Sequence, residues 1–285
     1  MKKIATVIIC LISVLFFTLP VSACDDGVLK LVNVSLAEQY YAVAVAKNNP
    51  DLKEQINSVL DRLLDKGADT KDGKVTFDKI YNEETAAVKN GELKPVMPLL
   101  MSSGGNRQNE FVVATNVYEP PFAYIVDTSF GGIDIRIAKI IADELGKELV
   151  VLHMDHSEIL NSVADGTADA AISALSVTSD SRKIIDFSKP YYTTYLQIAV
   201  ATDDNTFNRL ATEAQVSEVL EGLENVNAGA VSSRTGYTYL TDRLPEEATV
   251  KYNTIISAVR ALVNGEINIV CADRDLLLSA MDFIS

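Results

Sequence analysis

From residue 111 onward the chain alternates short apolar runs with amphipathic stretches, and this rhythm constrains the fold more than any other feature. "FVVAT" at 111–115 is β-prone, "GGIDIRIAKIIADELGK" at 131–147 has helical spacing, and "ELVVLHM" at 148–154 is again a strand. A helix over 157–166 and a strand over "ADAAISAL" at 168–175 follow. Strands alternating with helices of this length predict a parallel α/β sheet covered on both faces. The twelve-residue run "YYTTYLQIAVAT" is long enough to cross between two lobes, and after it a second βα series begins. That series comprises "VNAGAVS", "TGYTYLTDRL", "ATVKYN", "TIISAVRALVNG" and "INIVCAD", ending in the helical "RDLLLSAM".

The front of the chain does not begin like such a fold. "LAEQYYAVAVAKN" at 36–48 reads as a strand. In the next stretch Leu52, Ile56, Val59, Leu60 and Leu63 recur at helical spacing, with Pro50 near the start and Gly67 at the end. A shorter amphipathic segment covers 77–90. Residues 91–110, "GELKPVMPLLMSSGGNRQNE", carry two prolines and a glycine pair without periodicity, and so predict a linker.

Residues 1–23 have the build of an export signal: Lys2 and Lys3, an apolar run, then small residues before Cys24. Val21-Ser22-Ala23-Cys24 resembles a bacterial lipobox, which makes Cys24 the candidate lipid anchor; the alternative is ordinary cleavage after Ala23. The net charge of −14 becomes more acidic once the two leader lysines are gone, which argues against a nucleic-acid partner. It also makes an anionic membrane surface repulsive without an anchor. Three cysteines and two histidines leave no disulfide framework, no metal cluster and no implied cofactor, and Cys271 reads as a small buried hydrophobe.

Four motifs in order then carry a resemblance. They are "ATNVYEPPFAY" followed by Gly132-Ile133-Asp134, "SALSVTSDSRKIIDFSKPYY", "GAVSSRTGYTYL" and "LVNGEINIVCAD". Together they resemble the extracytoplasmic solute-binding proteins of the amino-acid-binding family, the receptor components of ABC importers. The resemblance implies a two-lobed, type II periplasmic-binding-protein-like α/β fold with the ligand between the lobes. The strand and helices that should close that family's chain stand here at the front, so the sequence resembles a circular permutation of it; the alternative is a decayed tandem duplication that keeps one copy's worth of sequence and gives the same fold. The boundaries expected are a signal peptide over 1–23, an anchored segment with a lobe 2 strand over 24–35, lobe 1 over 36–198, and hinge plus lobe 2 over 199–285. The linker at 91–110 then joins the ancestral termini.

Site roles follow from the same resemblance. A free amino acid needs a cation for its carboxylate and an anion for its ammonium; by the resemblance Arg182 occupies the family's carboxylate-binding position and Asp273 the ammonium-binding one. For Arg182 the alternative is a surface charge at a helix start, and for Asp273 an N-cap of the helix that follows it. The spacing from Arg182 to Asp-Phe-Ser is one residue shorter than the family pattern. Thr235 matches a lobe 2 contact, and Ser173 and Ser176, with Thr178, line the turn before Arg182. Arg234 stands among residues that depart from the family, as a solvated charge or a second cation facing the ligand. Tyr118, Glu119 and His156 fall where the ligand side chain is sensed; two aromatics are lost there, which points to a polar or charged ligand. For Glu119 the alternative is exposure to solvent, and for His156 a helix cap. The implied function is amino-acid capture and delivery to a permease and its ATPase, not catalysis, at the outer face of the membrane or, without the anchor, in the periplasm. A sensory receptor and a dehydratase-like enzyme on the same scaffold are the competing classes.

Overall fold

A computed structural model describes residues 28–99 and 107–284; the leader and Cys24 lie outside the described residues. Among the described residues, fifteen strands and nine α-helices are arranged as follows. The first part holds β1 (Leu29–Leu31), β2 (Ala37–Val45), α1 (Pro50–Asp65), β3 (Ala68–Thr70), β4 (Gly73–Val75), α2 (Phe77–Lys89) and β5 (Met97–Pro98). The middle holds β6 (Glu110–Thr115), β7 (Tyr118–Glu119), β8 (Ala123–Val126), β9 (Ser129–Gly131), α3 (Ile133–Glu144), β10 (Glu148–His153), α4 (His156–Ala164), β11 (Ala170–Ala171) and α5 (Ser181–Ile184). The long β12 (Asp186–Ala201) leads into α6 (Glu213–Glu221), β13 (Ala228–Val231), α7 (Thr235–Thr241), β14 (Thr249–Tyr252), α8 (Ile255–Val263), β15 (Ile269–Asp273) and α9 (Arg274–Ile284).

The main sheet runs β10-β6-β11-β2-β12-β15-β13-β14, with β1 added beside β12. Its two wings are parallel, as βα repeats require: β10 and β11 flank β6, and β14 and β15 flank β13. The inner strands β6, β13 and β15 are buried at every position, as expected of a sheet covered on both faces, whereas the edge strands β10 and β14 expose Glu148, His153 and Lys251. The wings meet at β12, which is long enough to serve both. Residues 186–196 pair with β2, 196–199 with β15, and 199–201 with β1, all antiparallel. This is the mixed α/β, two-lobed architecture, with α9 packed against α8, α2 and β12.

Local chemistry explains the frame. Asn49 caps α1 by accepting from the Leu52 amide at 3.3 Å, and Leu52, Ile56, Val59, Leu60 and Leu63 bury one face of that helix. Thr212 and Gln215 form a reciprocal capping box that starts α6. Cys271 is free and buried.

Two segments differ from expectation. Residues 96–99 are not a plain linker: β5 pairs with β9, and the Val96 amide reaches the Phe130 carbonyl at 2.8 Å. An open strand edge accepts any extended neighbour, and burial of Met97 adds an apolar contact. The strand expected over 168–175 pairs only at Ala170–Ala171, because the chain turns into the cleft immediately after it. Among the described residues no helix is long and apolar enough to cross a membrane.

Candidate functional site in the cleft between the wings

The turn that ends β11 is set from inside the lobe. Asp134, the acid of Gly132-Ile133-Asp134, accepts from the Ala174 amide at 2.7 Å and from the Tyr191 hydroxyl at 2.8 Å. Burial pushes Asp134 up to about 7 despite those two donors. Ala174 is thereby held at φ 44°, a left-handed conformation uncommon for a residue with a side chain. Gly132 is required in turn: it sits at φ 112°, and a Cβ there would lie 2.3 Å from the Phe122 carbonyl oxygen. The result is that the carbonyls of Ser173 and Ala174 face the opposite wing.

Arg234 meets them from that wing. It stands between β13 and α7 and is 7% exposed. Its Nε donates to Glu119 Oε1 at 3.0 Å and its Nη2 to the other oxygen of the same carboxylate, a bidentate pair. Nη2 also donates to the Ser173 carbonyl at 3.1 Å, and Nη1 to the Ala174 carbonyl at 3.0 Å. Asp273 Oδ2 lies 3.7 Å from Nη1 and accepts from the Tyr41 hydroxyl at 2.8 Å. Glu119 and Asp273 are each 2% exposed. Burial pushes Asp273 up to about 6, against the downward pull of Arg234 and the Tyr41 hydroxyl. Burial disfavours the Arg234 charge, yet the Glu119 carboxylate outweighs it and holds the guanidinium above its ordinary value. Gly236 lets α7 approach β15 closely enough for this geometry, since a Cβ there would sit 2.2 Å from the Cys271 carbonyl oxygen.

Beside this cluster lies a cavity of about 600 Å³ with walls from both wings. Gln39, His156, Ser176 and Ser181 stand on one side, and Ser233, Arg234, Thr235 and Asp242 on the other. His156 Nδ1 and Ser233 Oγ are 2.9 Å apart across the cleft. Burial, then the nearby Arg234 charge, lowers the His156 pKa well below the ordinary imidazole value, so the ring is neutral at physiological pH. Two buried polar atoms of the cavity wall, His156 Nε2 and Ser176 Oγ, have no hydrogen-bond partner. Thr178 and Ser181 bond to one another in a closed turn. A second hollow of about 300 Å³ between α2 and α9 contains none of the cleft's paired charges. Among the described residues no group of three or more His, Cys, Asp or Glu side chains is placed to hold a metal ion.

Glu119, Asp273, Ser173 and Arg234 therefore form one buried cluster, and His156, Ser176 and Thr235 stand in the cavity wall beside it. Glu119 is not exposed to solvent, and Arg234 is not a surface charge. Two expected contacts lie elsewhere. Arg182 is exposed on α5 and is absent from the cavity wall, whereas its neighbour Ser181 is buried and lines it. Successive residues of a helix are rotated by about 100°, so the one-residue change in spacing swings the cation outward. Tyr118 is 50% exposed, with its ring edge-on to His153 at 5.0 Å, and does not line the cavity. Tyr41, which donates to Asp273, is a cluster residue that sequence reasoning missed, and Asp134, legible only as part of the Gly132-Ile133-Asp134 motif, holds the turn at Ala174; the signal for Tyr41 was its inward register on β2.

The geometry is that of two wings with a polar-lined cavity of about 600 Å³ between them. Residues 111–268 match the bacterial extracellular solute-binding proteins, family 3, and the chain belongs to that family. It is 27% identical over 177 residues to a probable histidine-binding protein of Campylobacter jejuni, a match covering 61% of this chain and 64% of that protein. The chain thus spans less than two thirds of that relative's length. Against the ABC transporter arginine-binding protein 1 of Escherichia coli the identity is 25%, covering 63% of this chain and 71% of the other. Among solved structures, the amino acid ABC transporter substrate-binding protein AbpA of Streptococcus pneumoniae bound to L-arginine aligns with a TM-score of 0.53. That alignment has 31% identity and covers 60% of this chain and 70% of that one.

Proposed function

We propose that the chain is the extracytoplasmic receptor of an ABC importer: it captures a polar or charged amino acid between its two wings, closes on it by hinge motion, and hands it to a permease. In this reading residues 1–23 direct export and Cys24 carries the lipid that holds the receptor at the outer face of the membrane. The observation that carries the reading is the cavity of about 600 Å³, large enough for an amino acid, with two buried and unpartnered polar atoms in its wall, Ser176 Oγ and His156 Nε2. Buried polar atoms without partners in a cleft are groups that a polar ligand satisfies. The names of the relatives, a probable histidine-binding protein and an arginine-binding protein, support the amino-acid class.

Ser176 and Thr235, which both line the cavity, are the contacts we assign to the ligand's polar ends, together with the His156–Ser233 pair. The carboxylate role expected of Arg182 passes to these neutral donors, and Asp273 serves the Arg234 cluster. A dehydratase reading needs a free general acid or base; Glu119 has both oxygens engaged by Arg234, which favours the binding role.

We also infer that the chain order is a circular permutation. Residues ahead of the family-matched segment supply β2, which lies between β11 and β12 at the middle of the sheet, and α1, which packs on β12. Permutation leaves such packing intact because only surface connections change.

A thermal-shift screen of the purified protein against the common amino acids tests the function. A ligand that binds only the folded form raises the melting temperature, and Ser176→Ala shrinks that rise. A protein that responds to no amino acid contradicts the reading.

A further inference from the structure

We propose that Arg234 is a built-in occupant of the cleft's acidic subsite, so that this chain refuses solutes with guanidinium or ammonium side chains and takes an uncharged or anionic one in the adjoining chamber. The inference rests on the reading that the cleft takes a free amino acid, and it narrows the class of ligand. All three guanidinium nitrogens are engaged: Nε and Nη2 by the two oxygens of Glu119, Nη2 also by the Ser173 carbonyl, and Nη1 by the Ala174 carbonyl, with Asp273 at 3.7 Å. These are the partners a bound arginine side chain would need, met by a residue of the protein itself.

Charge counting makes the exclusion strong. Glu119 and Asp273 sit out of water opposite one internal cation. A cationic solute gains the acidic subsite only by expelling Arg234, and the loop that carries Arg234 is held in place on both sides. Gly236 abuts the Cys271 backbone and Ser233 is bonded to His156. A solute without a cation has no such competition, because Ser176 Oγ and His156 Nε2 lie in the wall of the neighbouring chamber without partners.

The test is chemical rescue. Melting temperatures are measured for the wild type and Arg234→Ala, each titrated to 10 mM with methylguanidinium chloride, L-arginine or, as a control, sodium chloride. The expected result is a wild type indifferent to methylguanidinium and arginine, and a variant that melts lower and gains several degrees from methylguanidinium but not from sodium chloride. If the variant is recovered unfolded, its refolding yield from urea with and without methylguanidinium replaces the melt, with a higher yield expected. A wild type stabilised by arginine overturns the proposal and leaves the receptor reading standing. A variant untouched by methylguanidinium in either assay also overturns it. A wild type that ignores every amino acid removes the receptor reading instead, while the rescue of Arg234→Ala still decides the occupancy of the acidic subsite.

Discussion

Two turns that border the same cleft each carry an arginine, and they treat it in opposite ways. The turn at 178–184 is closed by Thr178 and Ser181 upon themselves, so the inward position belongs to a small hydroxyl and Arg182 points to water. The turn at 232–235 places Arg234 across the cleft, with a carboxylate and two carbonyls already aligned on the other side. The difference teaches that a residue type near a motif does not fix a charge in space. Helix register and backbone direction do so, and desolvation then decides how much the charge matters.

The largest expected effect breaks that comparison directly. Arg234→Ala leaves two carboxylates buried without their cation, and loss of one partner of such a cluster costs about 3–5 kcal/mol. Arg182→Ala, at an exposed site, stays within about 0.5 kcal/mol. Urea unfolding of the two variants reads both numbers, and equal losses would refute the asymmetry.

A somewhat smaller loss is expected from Gly236→Ala. The added Cβ meets the Cys271 carbonyl oxygen at 2.2 Å, a backbone atom that cannot step aside, and overpacking of this kind costs about 1–3 kcal/mol. Gly222→Ala is the internal control, since its nearest contact is at 3.5 Å and its φ of −92° suits alanine. A control that loses as much stability as Gly236→Ala would remove the close-approach argument.

Tyr41→Phe deletes the hydroxyl that donates to Asp273 while keeping the ring, and a hydrogen bond to a charged group is worth about 1.5–3 kcal/mol. The melting temperature should fall, and by less than in Arg234→Ala.

The subtlest effect concerns pH. Asp134 has an ordinary pKa of 3.8 and is pushed up to about 7 in the folded protein. Such a carboxyl binds more protons folded than unfolded, so its contribution to stability is fully present below 3.8 and is lost as pH rises through about 7. Asp134→Asn has no such proton to lose. The difference in urea midpoint between wild type and Asp134→Asn should therefore shift in favour of the variant from pH 4.5 to pH 7.5. A difference that stays constant would show that Asp134 does not titrate in this window.

Much of the fold was legible because periodicity reports burial. The alternation after residue 111 gives the parallel wings, and the inward register of β2 and the apolar stripe of α1 are equally plain. The small sheet of β5, β7, β8 and β9 was not legible: β5 and β7 are two residues long, and their pairing depends on neighbours distant in sequence. The site divides in the same way. Asp273 is legible at the end of an apolar strand and Thr235 beside its glycine. The bidentate meeting of Arg234 with Glu119 joins residues 115 positions apart, and no local pattern announces it. Arg182 was misplaced because one residue of helical register turns a side chain from cleft to solvent. Tyr41 was hidden because an inward tyrosine on a strand reads as core.

The most direct measurement is the exchange rate of the two arginine Nε–H protons in 15N-labelled protein. The account predicts a slowly exchanging Arg234 signal, assigned by its loss in Arg234→Lys and accelerated in Glu119→Gln, against an Arg182 signal that exchanges at the rate of a solvated side chain. Two signals that exchange equally fast would contradict it, for then no guanidinium is locked inside the cleft.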